Sequence, residues 1–284
     1  MDMSRGPVVV GVDGSVHSDT AVLWAAAQAS ATDRSLLLIN AMGRLGAGDL
    51  LAGAAESREF RRGAGGSVLT AAARLAHRVA PDLEVATSVA ELDAREALLS
   101  ASSDAAMVVV GTRGHGGIAA LALGSVSIAV AGHAHAPVAV VRPRRTPGQD
   151  VVVGVAGDGS DRAAIAFAAD LAVRQGVALD VLHGWSPNDT FVDTQHYAQP
   201  LEMPDEGKRV VSEALAGLAE TCPDLLVRTS FPEREPVRAL VERSRSADCL
   251  VVGAHERGGR GVLLGSVSRS VVERADCTTV VVRP

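Results

Sequence analysis

The chain reads as an α/β protein built from two tandem copies of one domain, each a five-stranded parallel sheet with helices on both faces. Three observations predict this. The length of 284 residues accommodates two domains of ordinary size. The sequence repeats itself: VVVGVDGS from Val8 returns as VVVGVAGDGS from Val151, 143 positions on. LGSVSIAVAGHAHAPVAVVRP from Leu123 returns as LGSVSRSVVERADCTTVVVRP from Leu264, 141 positions on, with 11 of 21 residues identical. So long a period marks a duplicated domain and not a solenoid. Finally, aromatic residues are only 2% against 47% hydrophobic. The cores must then be Val, Leu, Ile and Ala, which suits parallel strands buried on both faces under Ala-rich helices. The expected boundaries are 1–143 and 150–284, joined at 144–149 by a Pro- and Gly-bearing linker.

Each copy alternates strand and helix. In the first, the β-branched run Val8–Val12 predicts a strand, and Ser18–Ala31 a helix with Ser18 as N-cap and Val22, Trp24 and Ala25 inward. Leu36–Ile39, Leu83–Thr87, Met107–Val110 and Val138–Val141 follow as strands; Glu56–Val79, Ala94–Ser102 and Ser125–His133 follow as helices. The second copy gives strands at Val151–Val155, Ala178–Leu182, Leu225–Thr229, Cys249–Val252 and Thr279–Val282. Its helices are Ala163–Val173, Lys208–Glu220, Pro236–Arg245 and Ser266–Arg274. Trp24 and Phe167 occupy matching places and are expected as core anchors. Strands separated by helices imply right-handed parallel crossovers. Ligands on such sheets bind beyond the carboxyl ends of the strands, where strand order reverses. That directs attention to Asp13 and to the loop after Val110.

Composition excludes several classes. The net charge of −6 carries no block of like charge, so neither nucleic acid nor an anionic membrane is an expected partner. No apolar run reaches the roughly 18–20 residues of a membrane span, and the start lacks a signal-peptide core, so a cytoplasmic location is expected. Cys222, Cys249 and Cys277 are odd in number and widely spaced, which suits reduced thiols better than a zinc site or a disulfide framework. His133 and His135 lie at a helix end without a carboxylate cluster and read as solvated; no metal site is expected. No Ser-His-Asp or Cys-His spacing suggests nucleophilic catalysis, so no catalytic residue is assigned.

The loop from Gly111 to Ser127 carries the chemistry. It follows a strand, opens a helix, and holds Gly111, Gly114, Gly116, Gly117 and Gly124. Glycines let backbone N–H groups approach an anion, and the helix start at Ser125 adds unpaired N–H groups and a positive dipole end. Ser125 and Ser127 contribute hydroxyls, and Arg113 and His115 charge. The combination suits a polyphosphate. It is neither a Walker A loop, which needs Gly-Lys-Ser/Thr, nor a G-x-G-x-x-G fingerprint.

The spacing Gly111-x2-Gly114-x9-Gly124-Ser125, the Gly-Val-Asp-Gly-Ser start and the Pro-Val-x-Val-Val-Arg-Pro ending resemble the ATP-binding branch of the universal stress protein family. The resemblance covers nearly the whole chain twice over and is similar to tandem actinobacterial members. It implies a Rossmann-like domain of the adenine nucleotide alpha hydrolase-like kind, with strand order 3-2-1-4-5 and ATP, with or without Mg²⁺, over strands 1 and 4. The implied contacts are Ala41 for adenine, Asp13 after strand 1, and Gly111, Gly114, His115, Gly124, Ser125, Val126 and Ser127 for the phosphates. The resemblance also implies pairing of the two domains through their fifth strands, with room for a further homodimer and an unidentified regulatory protein partner. The implied role is regulatory in the stress response, with slow ATP hydrolysis at most. Two other readings compete: a true ATPase or nucleotidyl-transfer enzyme using the same site, and a nucleotide-independent scaffold.

The second copy departs from this pattern. Ala156 stands for Asp13, with Asp158 nearby, and Glu256 stands for Gly114. From Gly253 to Gly265 the loop is one residue shorter than from Gly111 to Gly124. A glutamate a few Å from a phosphate costs on the order of 1–4 kcal/mol. Gly253, Arg257, Gly265, Ser266, Val267 and Ser268 are therefore expected to form a weaker site, with Arg257 and Arg260 partly offsetting the loss. Pro187–Pro204 reads as a polar loop over that site.

Overall fold

The computed structural model describes residues 6–44, 53–114, 123–143, 148–157, 161–186, 205–256 and 262–283. The chain divides into two units, Met1–Pro143 and Arg144–Pro284.

In the first unit β1 (Val8–Gly11) pairs in parallel with β2 (Leu36–Ala41) on one side and β4 (Met107–Gly111) on the other. β3 (Val85–Ala90) adds beyond β2, and β5 (Val138–Val141) beyond β4. The order is therefore 3-2-1-4-5, and it reverses between β1 and β4. Val9, Val10, Leu36, Leu38, Val108 and Val109 are almost wholly buried. Burying each such side chain stabilises by about 1.5–3 kcal/mol.

Helix α1 (Val16–Ala31) lays Ala21, Val22, Ala25, Ala26 and Ala29 on the sheet. Its N-cap is Ser15 and not Ser18: the Ser15 hydroxyl accepts from the Ser18 N–H at 3.2 Å, and the Ser18 hydroxyl donates back to the Ser15 carbonyl at 2.9 Å. The cause lies upstream. Gly14 has φ +83°, and Asp13 accepts the Ser15 N–H at 3.0 Å, which sets Ser15 in the extended conformation a cap needs. Trp24 is half-buried at the edge of this face, as is Phe167 in the second unit, so neither anchors a core interior.

Helix α2 (Ala54–Val79) buries only Gly65, Leu69, Ala72 and Ala76, and Gly63 and Gly66 face open space. At Gly65 a Cβ would stand 2.6 Å from the Asn40 side-chain oxygen. Helix α3 (Ala94–Ala101) starts at an Asp93 cap, and α4 (Ser125–His133) starts at Gly124. The Arg95 side chain donates to Asp93 and holds its carboxyl below the usual carboxylate range.

The second unit repeats the plan. β6 (Asp150–Gly154) lies between β7 (Ala178–Leu182) and β9 (Cys249–Gly253); β8 (Val227–Ser230) and β12 (Thr278–Val282) lie outside them, all parallel. Helix α5 (Asp161–Gln175) covers this sheet, with α8 (Pro236–Ser244) and α9 (Ser266–Arg274) following the first unit's α3 and α4. The single helix expected over Lys208–Glu220 is two, α6 (Asp205–Ala214) and α7 (Leu218–Thr221), separated at Gly217 with φ +82°. A short antiparallel hairpin, β10 (His255–Glu256) with β11 (Val262–Leu263), was not expected either.

One charge network belongs to the second unit alone. Arg243 donates to Asp180 at 2.8 Å and pairs with Asp150, both carboxylates being buried. Ser230 donates to Asp180 at 2.6 Å, and Arg228 reaches Asp150 at 3.4 Å. The aligned first-unit positions of the two carboxylates are Pro7 and Leu37. Burial lowers the tendency of Arg243 to hold its proton, but the hydrogen bonds it donates to Asp180 and Asp150 outweigh that and raise its pKa. Cys249 and Cys277 are buried and Cys222 is half-buried. Burial, with the neighbouring Cys277, pushes the Cys249 thiol well up.

Candidate functional site

The first unit holds a cavity of about 350 Å³ beyond the carboxyl ends of β1 and β4, where strand order reverses. Such volumes suit a small organic ligand. Of the residues expected there, Asp13, Ala41, Gly111, Gly114, Gly124, Ser125, Val126 and Ser127 all line it. His115 lies outside the described residues.

The walls divide by chemistry. One is apolar: Val12, Ile39 and Ala41 at the strand ends face Ala94 and Leu98, one turn apart on α3. The opposite wall is the turn after β4 and the start of α4. Its backbone is held by short internal bonds. The Gly124 N–H donates to the Thr112 carbonyl at 2.7 Å, and the buried Ser127 hydroxyl donates to the Gly111 carbonyl at 2.7 Å. Thr112 and the His17 ring share a hydrogen bond at 3.1 Å. Gly124 caps α4 without a side-chain hydrogen bond, and the first turn that follows, Ser125, Val126 and Ser127, lines the cavity, so a helix start with no side-chain cap borders it.

Several glycines here answer to close approach. A Cβ on Gly111 would lie 2.6 Å from the His17 carbonyl oxygen. One on Gly114 would lie 2.3 Å from an Asp13 carboxylate oxygen, so the loop backbone runs directly over that carboxylate. Asn40 fixes the end of β1 by donating to the Val12 carbonyl at 2.7 Å.

Sequence reasoning left out Gly11, Ser18, Ile39, Ala94 and Leu98. The i,i+4 pair Ala94/Leu98 was a usable signal, since that face of α3 points at the strand ends. Gly11 follows from it: a Cβ there would meet Leu98 at 2.8 Å.

In the second unit the scaffold recurs. Ser268 donates to the Gly253 carbonyl at 2.6 Å, and His183 bonds the Val155 carbonyl at 3.0 Å, as Asn40 does Val12. Gly265 again caps the helix that begins Ser266, Val267, Ser268. Arg257, Arg260, Asp158 and Pro187–Pro204 lie outside the described residues. Among the described residues no group of three or more His, Cys, Asp or Glu is placed to hold a metal ion, and no described helix is long and apolar enough to cross a membrane.

Two tandem parallel sheets in 3-2-1-4-5 order, the first with a glycine-framed cavity at its switch point, define a class of tandem Rossmann-like proteins. The family model described as "Universal stress protein family" matches residues 5–142 and again 148–283, and the chain belongs to that family. A universal stress protein of Mycobacterium tuberculosis is 34% identical over 303 residues, covering 97% of this chain and 94% of the relative. One of Mycolicibacterium smegmatis is 34% identical over 294 residues, covering 98% and 97%. A solved universal stress protein structure from Archaeoglobus fulgidus shares the fold, with a TM-score of 0.71 at 17% identity over 99% of this chain and 97% of that one.

Proposed function

We propose that this is a regulatory ATP-binding protein of the stress response, with the nucleotide held in the first unit. The observation that carries the reading is the two-sided cavity, apolar on one wall and formed on the other by the glycine turn and an uncapped helix start. Adenine fits the slot between Ile39, Ala41, Ala94 and Leu98. The ribose lies toward Asp13. The phosphates lie along Gly111, Gly114 and Gly124 to Ser127, with His115 beside them. Magnesium, if carried, comes with the phosphates. Gly253, Gly265, Ser266, Val267 and Ser268, with Arg257, form the weaker site. The role is to sense the nucleotide, with hydrolysis slow at most.

Identification of the nucleotide that co-purifies with the protein tests the ligand directly. Gly124→Glu tests the location. Its Cβ has room, at 3.4 Å from the Thr112 carbonyl oxygen, and its backbone angles are ordinary, so the fold survives while a carboxylate enters the phosphate wall. ATP affinity measured by calorimetry is expected to fall on the order of 100- to 1,000-fold. Unchanged affinity in the folded variant rules this site out. Turnover under excess ATP and Mg²⁺, compared with His115→Ala, separates this reading from an ATPase.

The two units are further proposed to pair through β5 and β12. Both are outer strands of their own unit's sheet, both are apolar, and both end in Arg-Pro. An outer strand of that kind needs a cover. Engineered cysteine pairs between Val138–Val141 and Thr279–Val282 are expected to cross-link within one chain; failure at every register removes this part of the proposal.

A further inference from the structure

The units begin their first helices with different chemistry, and the difference falls on the ligand cavity. Ser18 lines the cavity of the first unit, and its hydroxyl is turned to the Ser15 carbonyl. The aligned position in the second unit is Asp161. It is 3% exposed, and one carboxylate oxygen accepts the N–H of Ala156 at 3.0 Å and of Gly157 at 2.7 Å. Ala156 and Gly157 match Asp13 and Gly14; Gly14 and Gly157 share the same left-handed turn, with φ +83° and +84°. A buried carboxylate satisfied by two backbone N–H groups is a fixed negative charge. It stands where the first unit has a neutral side chain lining the cavity, and it uses N–H donors at the positions aligned with Asp13 and Gly14.

Helix α6 closes the same corner. Val210 rests on Gly157 so tightly that a Cβ there would lie 2.1 Å from a Val210 methyl carbon. Asp161 also borders a separate cavity of about 210 Å³, lined too by Arg162, Val210 and Glu213.

We infer that Asp161 is an internal anion that weakens the hold of the second unit on phosphate-bearing ligands, so that residue 18 or 161 biases which copy takes nucleotide. This rests on the reading of the first unit as the ATP site. The decisive pair of variants exchanges the two residues. Ser18→Asp in the first unit is expected to lower ATP affinity at least tenfold, as its carboxylate folds onto the N–H groups of residues 13 and 14. In a chain whose first site is disabled by Gly124→Glu, Asp161→Ser is expected to raise the remaining ATP affinity at least tenfold. Asp161→Asn, which keeps shape and an acceptor, provides the same loss of charge with less risk to folding. Amide exchange at Ala156 and Gly157 reports whether the loop bonds were lost. Native-like ATP affinity in folded Ser18→Asp overturns the inference, as does no gain in either folded Asp161 variant. Absence of ATP binding in the native chain instead defeats the proposed function, and the two failures are thereby distinct.

Discussion

The two units share their scaffold bonds and differ where a ligand would lie. Both tie the helix after the glycine loop to the preceding strand through the same serine, Ser127 to Gly111 and Ser268 to Gly253. Both fix the end of the first strand from the second, through Asn40 and His183. Both dock a leucine, Leu98 or Leu240, against a strand-end glycine, whose added Cβ would lie 2.8 or 2.9 Å from a leucine methyl. Ser102 and Ser244 each receive a backbone N–H at 2.9 Å in the same place. None of these bonds needs a nucleotide, and all persist where Asp13, Gly114 and Ser18 have become Ala156, Glu256 and Asp161. The lesson concerns the signature itself. Part of Gly-Ser-x-Ser is architecture, since its second serine spends its hydroxyl proton on the protein, and its presence alone does not certify a working site. The pair Asp13/Gly114 is replaced together: where Ala stands at 156, the carboxylate that crowds a side chain at the aligned loop position is absent.

The largest expected asymmetry is in stability. Arg243→Ala leaves Asp150 and Asp180 buried without their common partner, and should destabilise the second unit by about 3–5 kcal/mol. Denaturant unfolding should then resolve an early transition assigned to residues 148–283, with the first unit unmoved. Loss shared equally by both units would break the comparison. Next comes Gly111→Ala. The new methyl meets the His17 carbonyl and must push α1 away, costing about 1–3 kcal/mol. ATP affinity should drop with it, because the displaced loop carries the phosphate wall; calorimetry and thermal melting on one sample check both.

The smallest effect concerns the matched caps. Asp93 accepts the Arg95 N–H at 3.0 Å, and Glu235 accepts the Val237 and Arg238 N–H groups at 3.1 Å each. Asp93→Ala should cost about 1 kcal/mol. Because its folded pKa lies below its ordinary 3.8, the charged cap contributes fully above that value. The contribution fades as pH falls from there through the lower folded pKa, since the unfolded chain then binds the proton more readily. Melting curves of native and variant proteins should thus converge toward low pH, and a gap that widens on acidification would contradict the assignment.

Much of this was legible before any coordinates. The strand order followed from the resemblance, and the cavity lies where β1 and β4 end. What escaped reading was tertiary or too short. Ser18 has the chemistry of a cap, but the turn at Gly14 had already handed that role to Ser15, three residues upstream. The misassigned cap hid Asp161, because its aligned partner was read as a helix start and not as a cavity wall. The β10–β11 hairpin has only two residues per strand, too few to show alternation. Gly217 sits inside an otherwise helical ALAGLAE, where a glycine is equally consistent with a tolerated weak point and with a break. Trp24 and Phe167 matched each other in position, yet matching places them only on the same face, at its edge.

Helix α2 has a consequence of another kind. Its buried contacts concentrate from Gly65 to Ala76, and Gly63 and Gly66 each weaken the helix by roughly 0.5–1 kcal/mol against alanine while touching nothing. Opening of its first turns is therefore expected to cost less than global unfolding. Gly65 lies against Asn40 where the buried stretch begins, and Arg61, in the turns before it, donates to the Met42 carbonyl at 3.1 Å, just past the strand that carries Ala41. The strand end that would receive a base is thus backed by a helix with glycines at 63, 65 and 66, and local opening of that helix is expected to loosen this side of the cavity.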